Sequence, residues 1–301
     1  MKEEWSVERL TFYIVDVFAE EKYAGNQLAV VKGAKILSDT EMQRIAKEMH
    51  YSETTFILSD EKQNGGYDVR IFTPEKEVPF AGHPTLGTAY VIQQEIVRES
   101  IERIVLNLKC GRIPVTLKYM GERVDILWMK QMPPTFTQNF DAEQISEVLS
   151  LDKRSIDDRF PIQEVFTGLP SIIVPLKTLD ALKQARTARD KYFALVEKTE
   201  AKTILVFCPE TYNRENDLQV RVFAEYYGVP EDPATGSANG CLAAYLAKHR
   251  YFGKDRISIR VAQGYEIGRP SLLLLKAESK KGKIDVHVGG KVVMTAKGEL
   301  V

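Results

Sequence analysis

A stretch of this chain recurs in altered form about 150 residues further on, which marks an internal duplication of a large unit rather than a short-period solenoid. Residues 69–90 read VRIFTPEKEVPFAGHPTLGTAY, and residues 220–245 read VRVFAEYYGVPEDPATGSANGCLAAY. Both open on a Val-Arg-apolar-Phe strand and pass through a proline-bearing loop. Both then reach a glycine (Gly82, Gly236) and enter a run of small residues ending Ala-Tyr. A fainter echo lies upstream: Asp16-Val17-Phe18 leads through Gly25 to Leu28–Val31, and Glu164-Val165-Phe166 leads through Gly168 to Ile172–Val174.

Local patterns fill in each half. Thr11–Val17, Leu28–Lys32, Thr54–Leu58 and Tyr67–Phe72 are rich in β-branched and aromatic residues and read as strands. Ser38–His50 reads as a helix, with Ser38 and Glu41 as a capping box and Met42, Ile45, Ala46 and Met49 at helical spacing. Alternating apolar residues mark further strands around Ile104–Leu108, Val115–Leu117 and Val124–Trp128, with turns at Gly65-Gly66 and Gly111. The second half repeats the scheme at Ser171–Pro175, Thr203–Phe207 and Leu218–Phe223, and its end is nearly all strand (Ile257–Val261, Ser271–Lys276, Ile284–Val293). Gln131–Gln138, with Pro133-Pro134, is the expected boundary between the halves.

The helices that follow the two motifs are unlike the first. Pro84 suits the first position of one, and Leu86, Ala89, Tyr90 and Ile92 make it apolar on more than one face. Ser237 starts the other, with Ala238–Leu246 almost all small or apolar. A short helix that is apolar all round is buried, so each half is expected to be a sheet curled around a central helix. The open end of such a helix carries unpaired N–H groups and partial positive charge, a natural seat for a carboxylate or phosphate. Gly82 and Gly236 let a ligand approach the backbone, and His83 and Ser237 add donors. The plainer reading is that these glycines only let helices pack and that Ser237 is an N-cap.

The halves also differ. Asp232 lies four residues before Gly236, where the first half has Val78, and Glu53 opens a strand whose counterpart begins near Lys202. A glutamate beside apolar residues in a closed cleft has its pKa raised and becomes a usable acid and base near neutrality. From spacing alone, the plainer reading of Glu53 as a solvated strand-end acid and of Asp232 as a turn cap before Pro233 is the preferred one.

Composition narrows the functional classes. Forty-one Lys and Arg against 42 Asp and Glu give no electrostatic reason to expect nucleic acid or an anionic membrane as partner. The charged opening Met1–Arg9 is no secretory signal, and no apolar run approaches the roughly 20 residues of a membrane helix, so a cytoplasmic protein is expected. Cys110, Cys208 and Cys241 are read as free and buried. They and the four histidines lack metal-ligand spacing, and no GxGxxG or P-loop occurs.

The stretches DVFAEEKYAGNQLAVV (16–31), SETTFI (52–57), RIFTPEKEVPFAGHPTLGTA (70–89), EDPATGSANG (231–240) and QGYEIGRPS (263–271) resemble the PhzF-like phenazine-biosynthesis family, whose fold is that of diaminopimelate epimerase. The resemblance implies an α+β fold of two pseudo-symmetric domains, each a barrel-like, mostly antiparallel sheet around a central helix. The domains would span 1–130 and 131–289, with the final strand, 290–301, free to cross back to the first. It implies an active site between them, no cofactor or metal, and a homodimer. Glu53 falls on the family's catalytic glutamate. His83, Asp232 and Ser237 fall on its substrate-orienting residues, with Gly82 and Gly236 at the helix openings. Epimerases of this fold use one cysteine from each half, but here the openings read Ala81-Gly82-His83 and Thr235-Gly236-Ser237. The expected function is therefore a cofactor-independent isomerase moving a proton on a small carboxylate-bearing substrate. An amino-acid epimerase and a non-catalytic small-molecule binding protein are the alternatives.

Overall fold

The computed structural model describes residues 10–301; the opening Met1–Arg9 discussed above lies outside the described residues. Chain order begins with β1 (Leu10–Val17), β2 (Asn26–Lys32), helix α1 (Asp39–Met49), β3 (Thr54–Ile57), β4 (Tyr67–Phe72) and β5 (Glu77–Val78). Helix α2 (Gly82–Ile92) follows, then the meander β6 (Arg103–Leu108), β7 (Gly111–Met120) and β8 (Arg123–Lys130). The second half runs β9 (Thr135–Phe140), α3 (Ala142–Val148), β10 (Ile162–Phe166), β11 (Pro170–Pro175), α4 (Leu179–Gln184) and α5 (Arg189–Val196). It continues with β12 (Thr203–Cys208), β13 (Leu218–Ala224), β14 (Val229–Asp232), α6 (Gly236–Lys248), β15 (Arg256–Gln263), β16 (Ser271–Lys280) and β17 (Lys283–Gly290). The last strand is β18 (Val292–Leu300).

The two halves use one pairing scheme. In the first, β18, β1, β2, β3, β4, β6, β7 and β8 are successive neighbours, antiparallel except for the parallel pairs β2–β3 and β4–β6. In the second, β9, β10, β11, β12, β13, β15, β16 and β17 follow with parallel pairs at the equivalent places, β11–β12 and β13–β15. The C-terminal strand β18 thus does for β1 what β9 does for β10. An antiparallel contact of Leu127–Lys130 with His287–Gly290 joins the two sheets.

Each sheet curls around its own helix: α2 packs on β1, β2, β3, β6, β7, β8 and β18, and α6 packs on β10, β11, β12, β15, β16 and β17. Both helices are enclosed nearly all round, as their lack of a polar stripe requires. The outer faces are covered separately. Met42 and Ala46 of α1 pack on Phe56 and Phe72, while Ile145, Leu182 and Tyr192 of α3–α5 pack on Ile172, Val174, Ile204 and Val206. The capping box of Ser38 and Glu41 forms in both directions. Among the described residues, no helix is long and apolar enough to cross a membrane.

Several local expectations are corrected. Helix α2 starts at Gly82, so Pro84 is its third residue; this is tolerated because the amides of the first turn have no intrahelical partner. Helix α6 starts at Gly236, so Ser237 is its second residue and not its cap. The strand read over Ile284–Val293 is two strands, because the chain leaves β17 at Gly290 and pairs with β1 from Val292. Cys208 and Cys241 are buried as expected, but Cys110 is exposed at the turn between β6 and β7.

Symmetric strand positions carry matching ion pairs, Arg70 with Glu77 and Arg221 with Glu231, each at 2.7 Å. The second is the more deeply buried, and Arg221 also donates to Leu182 O and Ala185 O at 2.8 Å and to Lys183 O at 3.3 Å. Arg221→Ala strands the Glu231 carboxylate and three carbonyl contacts, so a loss of about 3–5 kcal/mol in urea unfolding is expected. Arg70→Ala, at the wetter site, should cost clearly less; equal losses would contradict this ranking.

Candidate active site

The site begins with an unusual contact: the N-termini of α2 and α6 meet end to end. A Cβ added to Gly82 would lie 3.3 Å from the Ser237 amide nitrogen and 3.4 Å from Gly236 Cα. A side chain at Gly82 would therefore crowd the α6 backbone, while one at Gly236 would meet the Phe18 ring at 3.3 Å before it reached Gly82. Neither helix has a side-chain cap: Ala81 has no group to offer, and the Thr235 hydroxyl donates instead to Asp232 Oδ2. Two uncapped first turns therefore converge on one place, with their N–H groups and partial positive charge available to an anion.

The register shows why the acids differ between halves. Val222 of β13 pairs with Asp232 as Ile71 of β4 pairs with Val78, so Asp232 stands where the first half has valine. Antiparallel pairing places Thr54 beside Phe72 and Ile204 beside Phe223, so Glu53 corresponds to Thr203, one residue from the expected Lys202. The Thr203 hydroxyl is hydrogen-bonded to that of Ser171 at 2.7 Å.

Glu53, His83 and Asp232 are brought together. His83 Nε2 lies 3.4 Å from Glu53 Oε2, a distance at which an ion pair can form. Burial argues otherwise: it pushes Glu53 up to about 8, with the charge of Asp232 adding to the rise, and pushes His83 down to about 3. Near neutral pH the two are a carboxylic acid and a neutral imidazole, whose ring is bonded to the Gln27 backbone. Glu53 Oε2 and His83 Nε2 have no hydrogen-bond partner, and 18% of the Glu53 side chain remains open. Burial also raises Asp232, offset in part by its bonds from Thr235 and Asn26.

Sequence reasoning missed the residues that hold Asp232. Asn26 Nδ2 donates to Asp232 Oδ1 at 3.1 Å and to Ala234 O at 2.9 Å, reaching across from the first half. Gln263 Nε2 donates to Asp232 O at 2.8 Å, and its Oε1 accepts from Asn239 Nδ2 at 2.8 Å. The usable signal was two amides, Asn26 opening β2 and Gln263 closing β15, each set against a run of apolar neighbours (Leu28–Val31; Val261-Ala262). Cys241 is set apart: it is buried, lies 3.4 Å from the Thr167 hydroxyl and donates to Leu169 O, and burial raises its thiol to about 11. Among the described residues, no group of three or more His, Cys, Asp or Glu side chains is arranged to hold a metal ion.

The raised pKa has a signed consequence. Folded Glu53 keeps its proton up to about 8, while the unfolded group loses it near 4.5, so its contribution to stability falls as pH rises between these values. Glu53→Gln removes that loss. Its stability relative to the unmodified protein should be near zero at pH 4, grow through the window, and level off above pH 8 at on the order of 5 kcal/mol. His83 affects both proteins alike and cancels. Urea melts at pH 4, 6 and 9 check this; a pH-independent difference would contradict the assigned burial.

Comparison with known proteins gives this geometry its context. The family profile described as "Phenazine biosynthesis-like protein", PhzC-PhzF, matches residues 15–298. A trans-2,3-dihydro-3-hydroxyanthranilate isomerase of Pseudomonas chlororaphis is 36% identical over 300 residues, spanning 96% of this chain and 99% of its own. A PhzF-family phenazine biosynthesis protein of Bacillus anthracis superposes with a TM-score of 0.89 at 26% identity, covering 98% of this chain and 99% of its own. A hydroxyproline epimerase of Agrobacterium vitis shares the fold alone, with a TM-score of 0.62 at 10% identity over 97% and 91% of the two chains. With a match over nearly its whole described length, the chain belongs to the PhzC-PhzF family of phenazine biosynthesis-like proteins and is an isomerase of the PhzF type.

Proposed function

We propose that Glu53 carries the reaction as a single acid and base, moving a proton between two carbons of a small substrate that bears a carboxylate. The observation behind this reading is the raised, unpartnered Glu53 carboxyl beside the neutral His83, next to two uncapped helix openings. The substrate carboxylate is held by the N–H groups at Gly82 and Gly236, with Ser237 as an added donor, while the neutral His83, its one proton given to the Gln27 backbone, orients the substrate by accepting at its free Nε2. Asp232, fixed by Asn26 and Thr235, takes an amine or hydroxyl of the same molecule. In this reading the working unit is two lobes, residues 1–130 with 290–301 and residues 131–289, with the substrate between them in each subunit of a homodimer.

The step balances without any other reactant. The Glu53 carboxylate takes a proton from one carbon, and the electron pair left behind moves through a conjugated system. The resulting carboxylic acid returns the proton to another carbon. With its pKa at about 8, roughly a tenth of Glu53 is ionised at pH 7, so a modest change in environment converts acid to base. General acid–base transfer supplies about 10²–10⁴-fold, and the remainder comes from orientation in a closed cleft. A two-thiol epimerase is disfavoured, because Cys241 is bonded inside α6 with its thiol raised to about 11, and Gly87 lies at the matching place in α2.

Heavy-water exchange tests the proposal, with trans-2,3-dihydro-3-hydroxyanthranilate, the compound named for relatives, as the first substrate. Deuterium should enter carbon positions, and Glu53→Gln should lower the rate by about 10³-fold or more. The rate at low substrate should climb with pH to a plateau just above 8, as a base of that pKa requires. Dialysis against EDTA should leave it unchanged. Equal exchange by the variant would remove Glu53 from the chemistry. Tight binding without exchange would favour the binding-protein reading.

A second variant separates binding from chemistry. Ser237→Ala removes one hydroxyl donor and should raise KM by about tenfold with kcat changed less. A loss confined to kcat would place Ser237 at the reacting carbon instead.

A further inference from the structure

The left-handed backbone of Phe18 is an outlier without an obvious local reason. Its φ is 61°, a conformation that glycine adopts readily and a bulky aromatic residue rarely does. Such a residue persists only where its surroundings over-determine it, and such positions cluster at functional sites. Phe18 is 1% exposed at the end of β1. Its N–H donates to Lys291 O at 2.8 Å, and its carbonyl accepts from Leu272 N at 2.9 Å. Its backbone is thus bonded both to the crossing between β17 and β18 and to β16.

The segment around it is held as firmly. Arg269 Nη2 donates to Asp16 Oδ1 at 2.7 Å and to Ala24 O at 2.6 Å, and Arg269 Nε donates to Gly25 O at 2.9 Å. Gly25 N donates to Pro270 O at 3.1 Å. These contacts draw the loop between β1 and β2 onto residues 269–272 of the other half and leave Phe18 no room to relax.

The ring occupies the space that two glycines leave open. A Cβ at Gly236 would lie 3.3 Å from Phe18 Cζ and 3.7 Å from Gly82 Cα, and a Cβ at Gly290 would lie 2.6 Å from Phe18 Cδ1. One edge of the ring therefore touches the crossing between the sheets, and its tip touches the point where α6 meets α2.

We propose that Phe18 is a positioning residue: its ring is a wedge that sets the distance between the openings of α2 and α6, and so the closure of the cleft that holds Glu53 and Asp232. The inference rests on the reading of that cleft as the active site. The strained backbone is what aims the ring, since an extended residue 18 would carry it along β1 and away from Gly236. Removing the ring leaves a void at the joint, loosens the two openings and admits water to Glu53, which faces His83 and Asp232 there.

Three variants test it. Phe18→Ala removes the ring, and Phe18→Gly removes the ring together with the strain. Gly290→Ala keeps the ring but displaces it, and serves where the other two fold poorly. Amide hydrogen exchange of the first bonded turns, residues 85–89 and 239–243, should speed up by roughly tenfold in each variant, with exchange in β12 unchanged. In the isomerase assay kcat should fall by about tenfold with KM moving less, and the pH midpoint assigned to Glu53 should drop by about one unit as water reaches it. A purely structural residue would lower thermal stability without moving that midpoint. Unchanged amide exchange at both openings overturns the proposal, as does a Phe18→Gly protein that behaves like the unmodified one, which would assign the effect to the backbone. If the unmodified protein turns over none of the compounds, the functional reading fails, and the amide-exchange measurement still decides the role of Phe18.

Discussion

Two helix N-termini meeting head to head is an electrostatically awkward contact, since both ends carry partial positive charge and unpaired donors. The rest of the structure is arranged to hold it. Each helix is driven into its own barrel-like sheet by the absence of a polar face, and glycine at 82 and 236 lets the backbones approach. The donors left over at the junction are those that the proposed reading gives to a substrate carboxylate. A burial pattern set by hydrophobicity thus gathers unpaired donors at one point as a consequence of packing.

The same burial works against stability at the one place where chemistry is proposed. Carboxyl groups are seldom buried without a partner, because the charged form loses its hydration. Glu53 sits in such a place with a second acid, Asp232, close enough to raise it further. Asp232 is cushioned by Asn26 and Thr235, and Glu53 has no comparable support. In the proposed reading that difference gives the two acids separate tasks: one is held still, and the other is left free to exchange its proton.

The two halves are closed onto each other by few but well-placed ties. Asn26 reaches Asp232 across 206 residues of sequence, and Arg269 reaches Asp16 across 253. Strand β18 supplies the first sheet with the neighbour that β9 supplies to the second, so the end of the chain is needed to complete its beginning. The Phe18 ring lies where these ties converge. In the proposed reading, cleft geometry depends on residues that never face a substrate.

Much of this was legible in the sequence, because it is written in short-range patterns. Apolar alternation marks the strands, the all-round apolar character of residues 82–92 and 236–248 marks the enclosed helices, and the repeat marks the symmetry that makes Glu53 and Asp232 stand out. Boundaries were less clear. Pro84 and Ser237 fall inside first turns, and the break at Gly290 is set by which strand accepts the chain next, which no local pattern encodes. What only the tertiary structure decided is the state of the site: that Glu53 is an uncharged acid beside a neutral His83, that Asn26 and Gln263 hold Asp232, and that Phe18 adopts a strained conformation between two glycines. Each of these comes from desolvation or contact between residues far apart in the chain, and such effects exist only once the two halves have closed.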